Sequence, residues 1–338
     1  MQIIKNPKKI LIIKPSSLGD VVHSLPFLNA VRTRFPKTEI HWVIAKGIEG
    51  LLEGHPMINR LWIINKDTWK KIKNVKGTIN EFKVLFRELK KEKYNLVVDL
   101  QGLLRSGVLT AATGAPVRVG FAEAREGSRV FYTHKIEGGK NIHAVDRYLK
   151  IADFLGCPTT DVYFPFPLYS KSLSLTHNLS IPEDYAVIVP GARWKTKIWP
   201  PEKFGKLSSK LPLSTLIVGG KGDIDAADEI VALSNGKAIS LAGKTDLKEL
   251  IEVMKGARFV ISNDSGPMHI AAALGIPVFA IFGPTDPSKT GPYGKGHTII
   301  KEEITCAPCF KKTCNDVKCM NSLSVKKVYE IIIEKLAI

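Results

Sequence analysis

The chain has 338 residues, 44% hydrophobic and 24% charged, with a net charge of +17, a length that calls for two domains of roughly 150 residues rather than one core. No apolar run approaches a membrane span, and Met1-Gln2-Ile3-Ile4-Lys5 lacks the apolar region of a secretory signal, so a cytoplasmic protein is expected. The charge is lopsided: residues 1–175 hold 28 Lys/Arg against 15 Asp/Glu, residues 176–338 hold 21 against 17, and the basic first half favours an anionic partner such as nucleic acid, the inner membrane face or an acidic sugar-lipid. Runs such as Lys70-Lys71 and Lys90-Lys91 also read as ordinary solvated helix faces.

In chain order, Lys9–Lys14 reads as a buried parallel strand, and Pro15–Asp20 as a turn opening one amphipathic helix through Arg34. Strands follow at Ile40–Ala45 and Leu61–Ile64, a charged helix at Ile79–Lys93, a strand at Leu96–Leu100 and a helix at Ala144–Leu155. Pro165–Ile181, rich in Pro, Ser and Leu without periodicity, reads as a linker. The alternation then restarts, with strands at Tyr185–Val189, Thr215–Val218, Phe259–Ser262 and Val278–Phe282 and helices at Pro201–Lys210, Asp225–Ser234, Lys248–Gly256 and Pro267–Leu274. This is an α/β chain of two Rossmann-like domains, 1–168 and 182–322, with a last helical segment, 323–338, expected to pack back on the first domain. Open α/β sheets place ligands at the carboxyl ends of their strands, so the loops after strands should carry the function.

Ser262-Asn263-Asp264-Ser265-Gly266-Pro267-Met268-His269 puts small residues and backbone amides at a helix start, which suits a diphosphate; Asp264 or Ser265 as a plain N-cap and His269 as a packed histidine are the blander readings. Val189–Pro200 holds Arg193, Lys195, Lys197 and two tryptophans, cations able to neutralise phosphate, with Trp199 as fit for the core as for stacking. In the first half, Lys14-Pro15-Ser16-Ser17-Leu18-Gly19-Asp20 contains the one carboxylate among the first 38 residues. Asp20 reads either as a general base or as a first-turn carboxylate complementing a helix dipole. Asp99–Ser106, with Gln101 and Arg105, precedes Arg118, Arg125, Arg129 and Lys135, an array suited to phosphate or carboxylate groups and equally to a plain surface. Gly219-Gly220-Lys221-Gly222 lacks the third glycine of a dinucleotide fingerprint, since position 225 is Asp, so a nicotinamide cofactor is set aside and Gly220 is placed near a nucleotide base or ribose. Cys306, Cys309, Cys314 and Cys319 read either as a four-thiolate structural metal site, zinc or another, or as thiols in a packed loop. Basic motifs interleaved with aromatics are missing, which argues against nucleic acid.

Taken together, Lys14–Asp20, Asp99–Ser106, Lys197–Pro200 and Asn263–His269 resemble the ADP-heptose:lipopolysaccharide heptosyltransferases over essentially the whole chain, and Asp99–Ser106 resembles the first such enzyme more than the second. Arg193–Thr196 departs from that loop, which leaves the acceptor grade open. The resemblance implies a GT-B glycosyltransferase that inverts at the anomeric carbon without a metal or other cofactor, working at the inner face of the membrane as a peripheral protein. It makes Asp20 the base and Lys197 the cation on the leaving diphosphate. ADP-heptose would be held by Lys197, Asp264, Ser265, Gly266, His269, Arg193 and Gly220. A Kdo-lipid A acceptor would meet Lys14, Ser16, Ser17, Gly19, Gln101, Arg105, Arg125 and Lys135. The competing expectations are transfer to an already heptosylated core, or a nucleotide-sugar epimerase of similar fold.

Overall fold

The apolar runs become strands because both of their faces are covered: β1 (Lys9–Ile13) buries four of its five residues and β7 (Tyr185–Val189) all five, the setting that favours unbroken Ile, Leu and Val over alternation. The computed structural model describes residues 4–65, 75–139, 141–167 and 181–336, and the chain divides into two compact units, Met1–Leu168 and Tyr169–Ile338. Most of the expected linker, residues 168–180, and the Lys70-Lys71 run lie outside the described residues.

In the first unit β1 is followed by α1 (Leu18–His23), α2 (Leu25–Arg34), β2 (Glu39–Ala45), β3 (Arg60–Ile64), α3 (Val75–Lys91), β4 (Leu96–Asp99), α4 (Leu104–Ala112), β5 (Val117–Phe121), β6 (His134–Ile136) and α5 (Ala144–Phe154). The sheet runs β3-β2-β1-β4-β5-β6, parallel throughout. Ile10–Ile13 pair with Ile40–Val43 on one side and Leu96–Asp99 on the other. The single helix expected through Arg34 is two. Ser24 ends α1 and precedes α2, whose first turn contains Pro26, a residue with no N–H to continue the ladder.

Strands β5 and β6 and helix α4 are additions to the sequence expectation, and β5 explains why it was hidden. Arg118 curls back, its Nε donating to the Phe131 carbonyl (2.8 Å) and Nη1 to that of Ala115 (2.7 Å). Gly120 leaves room for the Tyr132 ring, since a Cβ there would lie 2.4 Å from it. A charge and a glycine in five residues mask the apolar signal of a strand. Arg118 is therefore a brace rather than part of an anion-binding array.

The second unit repeats the winding: β7, α6 (Pro201–Lys210), β8 (Ser214–Ile217), α7 (Ile224–Ala232), β9 (Ala238–Ser240), α8 (Leu247–Lys255), β10 (Val260–Asn263), α9 (Gly266–Ala273), β11 (Val278–Ile281), β12 (Thr298–Ile300) and α10 (Val325–Leu336). Its parallel sheet runs β12-β11-β10-β7-β8-β9, the same order as the first. Helix α10 packs on α6 and buries Val328 and Ile332 in the second unit's own core with Trp199, Phe204 and Leu207.

Both sheets have the strand order of a dinucleotide-binding fold, in which the winding reverses between the first and fourth strands and leaves a crevice at their carboxyl ends. Those strands are β1 and β4 in one unit and β7 and β10 in the other.

Candidate functional site

At the first switch point, the loop after β1 carries Lys14 and leads into α1. The Ser17 backbone N–H (2.9 Å) and hydroxyl (2.6 Å) both donate to Asp20 Oδ2, so the Asp20 carboxylate caps the helix that carries it. That does not use it up: its side chain remains 41% exposed, Lys14 Nζ lies 3.6 Å from Oδ1, and the Tyr148 hydroxyl of α5 donates to the same oxygen at 3.4 Å. Lys14 is the buried partner, 3% exposed, with Nζ donating to the Leu100 carbonyl at 3.3 Å and lying 5.1 Å from the centre of the Tyr148 ring. Burial disfavours its charge, but Asp20, Tyr148 and Asp99 more than compensate and hold the ammonium above the usual lysine value.

After β4, the buried Asp99 organises the adjoining loop: Gln101 N–H (2.8 Å) and Gly102 N–H (3.0 Å) donate to its Oδ1, and the Tyr132 hydroxyl (2.7 Å) to Oδ2. Burial raises the Asp99 pKa against the pull of these donors. The Gln101 side chain accepts from Ser16 N–H at 3.4 Å, tying the two loops together. They open on a cavity of about 340 Å³ lined by Lys14, Asp20, Gln101, Arg125, Arg147 and Tyr148 among others.

Of the expected acceptor residues, Lys14, Gln101 and Arg125 line this cavity with Asp20, Ser16 and Ser17 belong to the loop that shapes it, and Gly19 is buried in α1. Arg105, exposed on α4, and Lys135, exposed on β6, are not among the lining residues. Arg105 sits in the exposed first turn of α4 and Lys135 is the middle residue of the short strand β6. The sequence reading missed Tyr148 and Arg147 altogether. They lie more than 120 residues from Asp20, and on a helix with an ordinary amphipathic pattern no local signal marks them.

At the second switch point, Lys197 Nζ donates to Asp264 Oδ2 at 2.6 Å, and the Thr285 hydroxyl donates to the same oxygen at 2.6 Å. Asp264 is 6% exposed and Lys197 16%, with the ammonium 4.5 Å from the Trp194 ring centre. Asn263 joins the two loops: its Nδ2 donates to the Pro190 carbonyl (2.6 Å) and its Oδ1 accepts from Trp199 N–H (3.1 Å). Ser265 precedes α9 as its N-cap, Gly266 opens the helix, and His269 is buried within it. Asn263 and Thr285 are the structural additions here; Asn263 stood inside the motif, Thr285 in a loop without one.

Trp199 is fully buried, with Nε1 donating to the Leu323 carbonyl at 3.1 Å, which decides for the core. Arg193 is exposed on the same loop. Gly220 N–H donates to Asp223 Oδ2 at 2.8 Å, so this amide caps its own turn. Among the described residues, the set of three metal-binding side chains whose ligand atoms converge within 4.8 Å is Glu39, His41 and Glu92, not the cysteines. That set lies at the opposite, amino-terminal end of the first sheet, where Lys9 and Arg60 already pair with its carboxylates. Cys319 is buried, Cys309 half-buried and Cys306 and Cys314 exposed, all four as free thiols. No helix among the described residues is long and apolar enough to cross a membrane.

Comparison with known proteins agrees with the arrangement. Residues 83–320 match the model of glycosyltransferase family 9 (heptosyltransferase). Lipopolysaccharide heptosyltransferase 1 of Pseudomonas aeruginosa is 32% identical over 90% of this chain and 87% of its own, and that of Escherichia coli K12 is 30% identical over 87% and 93%. The solved structure of E. coli heptosyltransferase WaaC with ADP superposes with a TM-score of 0.79 at 27% identity, covering 97% of this chain and 99% of that one. A chain with two Rossmann-like units of the GT-B kind, a charge pair at each switch point and this likeness over nine-tenths of its length belongs to glycosyltransferase family 9, the heptosyltransferases.

Proposed function

We propose that the chain transfers L-glycero-D-manno-heptose from ADP-heptose to a Kdo hydroxyl of Kdo-lipid A, with inversion and without a metal, in building the lipopolysaccharide inner core. The observation that carries this reading is the opposite polarity of the two charge pairs. In the first unit the cation is buried and the carboxylate exposed; in the second the carboxylate is the more buried partner. One unit thus offers a base, the other a cation, which are the two groups that displacement of a diphosphate by a hydroxyl requires.

On this reading Asp20 takes the proton of the acceptor hydroxyl as its oxygen attacks the anomeric carbon. The bond from that carbon to the diphosphate breaks, its electron pair leaves with ADP, and the growing charge meets Lys197 and the amino-terminal end of α9. Asp264, fixed by Thr285, holds the Lys197 ammonium in place before ADP-heptose arrives and contacts the donor with Ser265, Gly266 and His269. The excess of positive charge in residues 1–175 suits an acceptor embedded in an anionic membrane face, with the protein peripheral to it.

The names of the Pseudomonas aeruginosa and E. coli relatives support the first-heptose reading over transfer to a heptosylated core, and family membership sets the epimerase aside. ADP release from ADP-heptose, measured with Kdo-lipid A, with heptosylated Kdo-lipid A and without acceptor, tests it. Release is expected with the first alone; release with the heptosylated acceptor alone, or equally without any acceptor, overturns it.

A further inference from the structure

Cysteine is among the residue types most often buried, yet Cys306 and Cys314 are exposed, Cys309 is half-buried and Cys319 is buried. Core packing accounts for the last of them alone. Cys319 is fixed by the short helical turn Lys318–Asn321 and by Gly283, where a Cβ would fall 2.9 Å from Cys319 Sγ. Burial first, and then the fields of Cys309, Cys306 and Cys314, disfavour a Cys319 thiolate, so the four sulfurs are near enough to act on one another. One of them already has the surroundings of a ligand: Val317 N–H donates to Cys314 Sγ at 3.4 Å, the kind of backbone contact that supports a metal-bound group. Residues 301–317, which carry three of the four, contain no helix or strand, and irregular stretches of that length are uncommon in compact domains unless they carry function. The segment lies against the second switch point. The Thr196 hydroxyl, next to Lys197, donates to the Lys311 carbonyl (2.9 Å), and Phe310 N–H donates to the carbonyl of Pro284 (2.7 Å), next to Thr285. Lys312 Nζ stands 5.4 Å from the centre of the Trp194 ring that Lys197 also faces.

We propose that Cys306, Cys309, Cys314 and Cys319 form a four-thiolate site for one thiophilic divalent ion such as zinc, and that this ion pins residues 301–317 against the loop that carries Lys197. Four sulfur ligands select a soft, tetrahedral ion over magnesium or calcium. Cys319 is the anchored ligand, and the more exposed thiols close on it. Their sulfurs do not meet within 4.8 Å beforehand, so binding is coupled to ordering of the segment. Four thiolates around a divalent ion leave a net negative charge, which Lys311, Lys312 and Lys318 in the same stretch offset. The ion is structural: it reaches no reacting atom, and Lys197 keeps its own bond to Asp264. Its effect on the donor rests on the reading of Lys197 given above, whereas its binding does not.

Three full-length proteins, wild type, the double variant Cys306→Ser/Cys314→Ser and His41→Gln, are purified under reductant without chelator. They are compared in metal content, in the absorption spectrum after cobalt reconstitution, in melting temperature, and in kcat and KM with ADP-heptose. Wild type should hold about one thiophilic ion per chain and give the thiolate-to-cobalt band of a tetrahedral site, and its four clustered thiols should resist alkylation until the ion is removed. The double variant changes two exposed side chains, which ordinarily leaves stability near wild type; here it should lose the ion and melt several degrees lower. Its KM for ADP-heptose should rise about 3- to 10-fold with kcat within about two-fold of wild type, the mark of a brace that bears on donor binding and not on the chemical step. Wild type without a bound ion and with freely alkylated thiols overturns the site. An ion kept by the double variant and lost from His41→Gln belongs to Glu39, His41 and Glu92, and overturns it as well. An ion lost from the double variant without any change in melting temperature or KM overturns the brace. Wild type that does not turn over ADP-heptose instead overturns the donor reading, and metal content, spectrum and melting temperature then decide the site without it. If the double variant does not fold, cobalt titration and alkylation of wild type carry the decision.

Discussion

The two units share strand order and switch-point geometry but invert one detail. Lys14 is 3% exposed beneath an Asp20 that is 41% exposed, whereas Asp264 is 6% exposed beside a Lys197 that is 16% exposed. A fold of this kind supplies a crevice without specifying its chemistry, and here the choice of which partner is buried gives each crevice its sign. In each pair the buried member fixes its more accessible partner. That Lys14 stays charged despite burial, because Asp20, Tyr148 and Asp99 compensate, is what lets the arrangement persist in the first unit.

The contrast breaks most directly at Asp20. Asp20→Asn keeps the shape of the side chain but removes the base, so transfer should fall by about 10²–10⁴-fold while ADP-heptose binding stays within a few-fold of wild type. If the carboxylate served α1 alone, the change would cost about 0.5–1 kcal/mol of stability and leave turnover intact. Rate and melting temperature measured on one preparation decide between these, and a folded Asp20→Asn enzyme with wild-type turnover would falsify the base role.

Next in size are Lys197→Ala and Asp264→Ala, each expected to lower transfer by at least ~100-fold, since a lost cation or its anchor costs about 3 kcal/mol at a departing oxyanion. They should differ in stability. Asp264→Ala strands the Lys197 ammonium and the Thr285 hydroxyl and should lower the melting temperature, whereas Lys197→Ala leaves Asp264 the Thr285 donor. Equal melting temperatures with near-normal turnover in both variants would remove the donor-site assignment.

A smaller effect, shared by both units, is a dependence of stability on pH. His41 and His55 in the first unit and His297 in the second have pKa values pushed below 6.5, chiefly by burial. The folded form therefore binds fewer protons than the unfolded one just below that value, so stability is full above about pH 6.5 and is lost as pH falls towards the folded pKa values. His55, whose Nε2 lies 3.0 Å from the Pro165 carbonyl, contributes to this slope. Melting temperatures from pH 7.5 to 5.5 should fall, and less so in a His55→Gln variant; a flat profile in wild type contradicts the assignment. The smallest expected effect is none: on the proposed mechanism a chelator leaves transfer unchanged, and activity lost to EDTA and restored by magnesium would refute metal independence.

Much of the fold was legible locally. Continuous apolar runs such as Lys9–Ile13 and Tyr185–Val189 are read correctly because a parallel strand buried on both faces needs no alternation. The loops ending in Asp20, Lys197 and Asp264 were legible for a related reason: the carboxyl ends of such strands are where a chain can place polar groups without breaking the sheet. Strand β5 was not legible, because Arg118 and Gly120 are explained by Phe131, Ala115 and Tyr132, residues supplied by the path that follows.

The sequence by itself determined the two-fold α/β alternation, the loops that carry polar chemistry and the residue types within them, since each depends on periodicity or composition within a dozen positions. Tertiary structure alone decided which of those residues share a cavity. Tyr148 meets Asp20 across 128 residues and Thr285 meets Asp264 across 21, Arg147 joins the cavity wall while Arg105 and Lys135 do not, and α10 closes the core of its own unit. Burial of a charge is likewise a property of the whole packed environment: nothing in the spacing of Lys14 and Asp20, or of Lys197 and Asp264, shows which member water can reach, because desolvation is set by neighbours that only folding brings together.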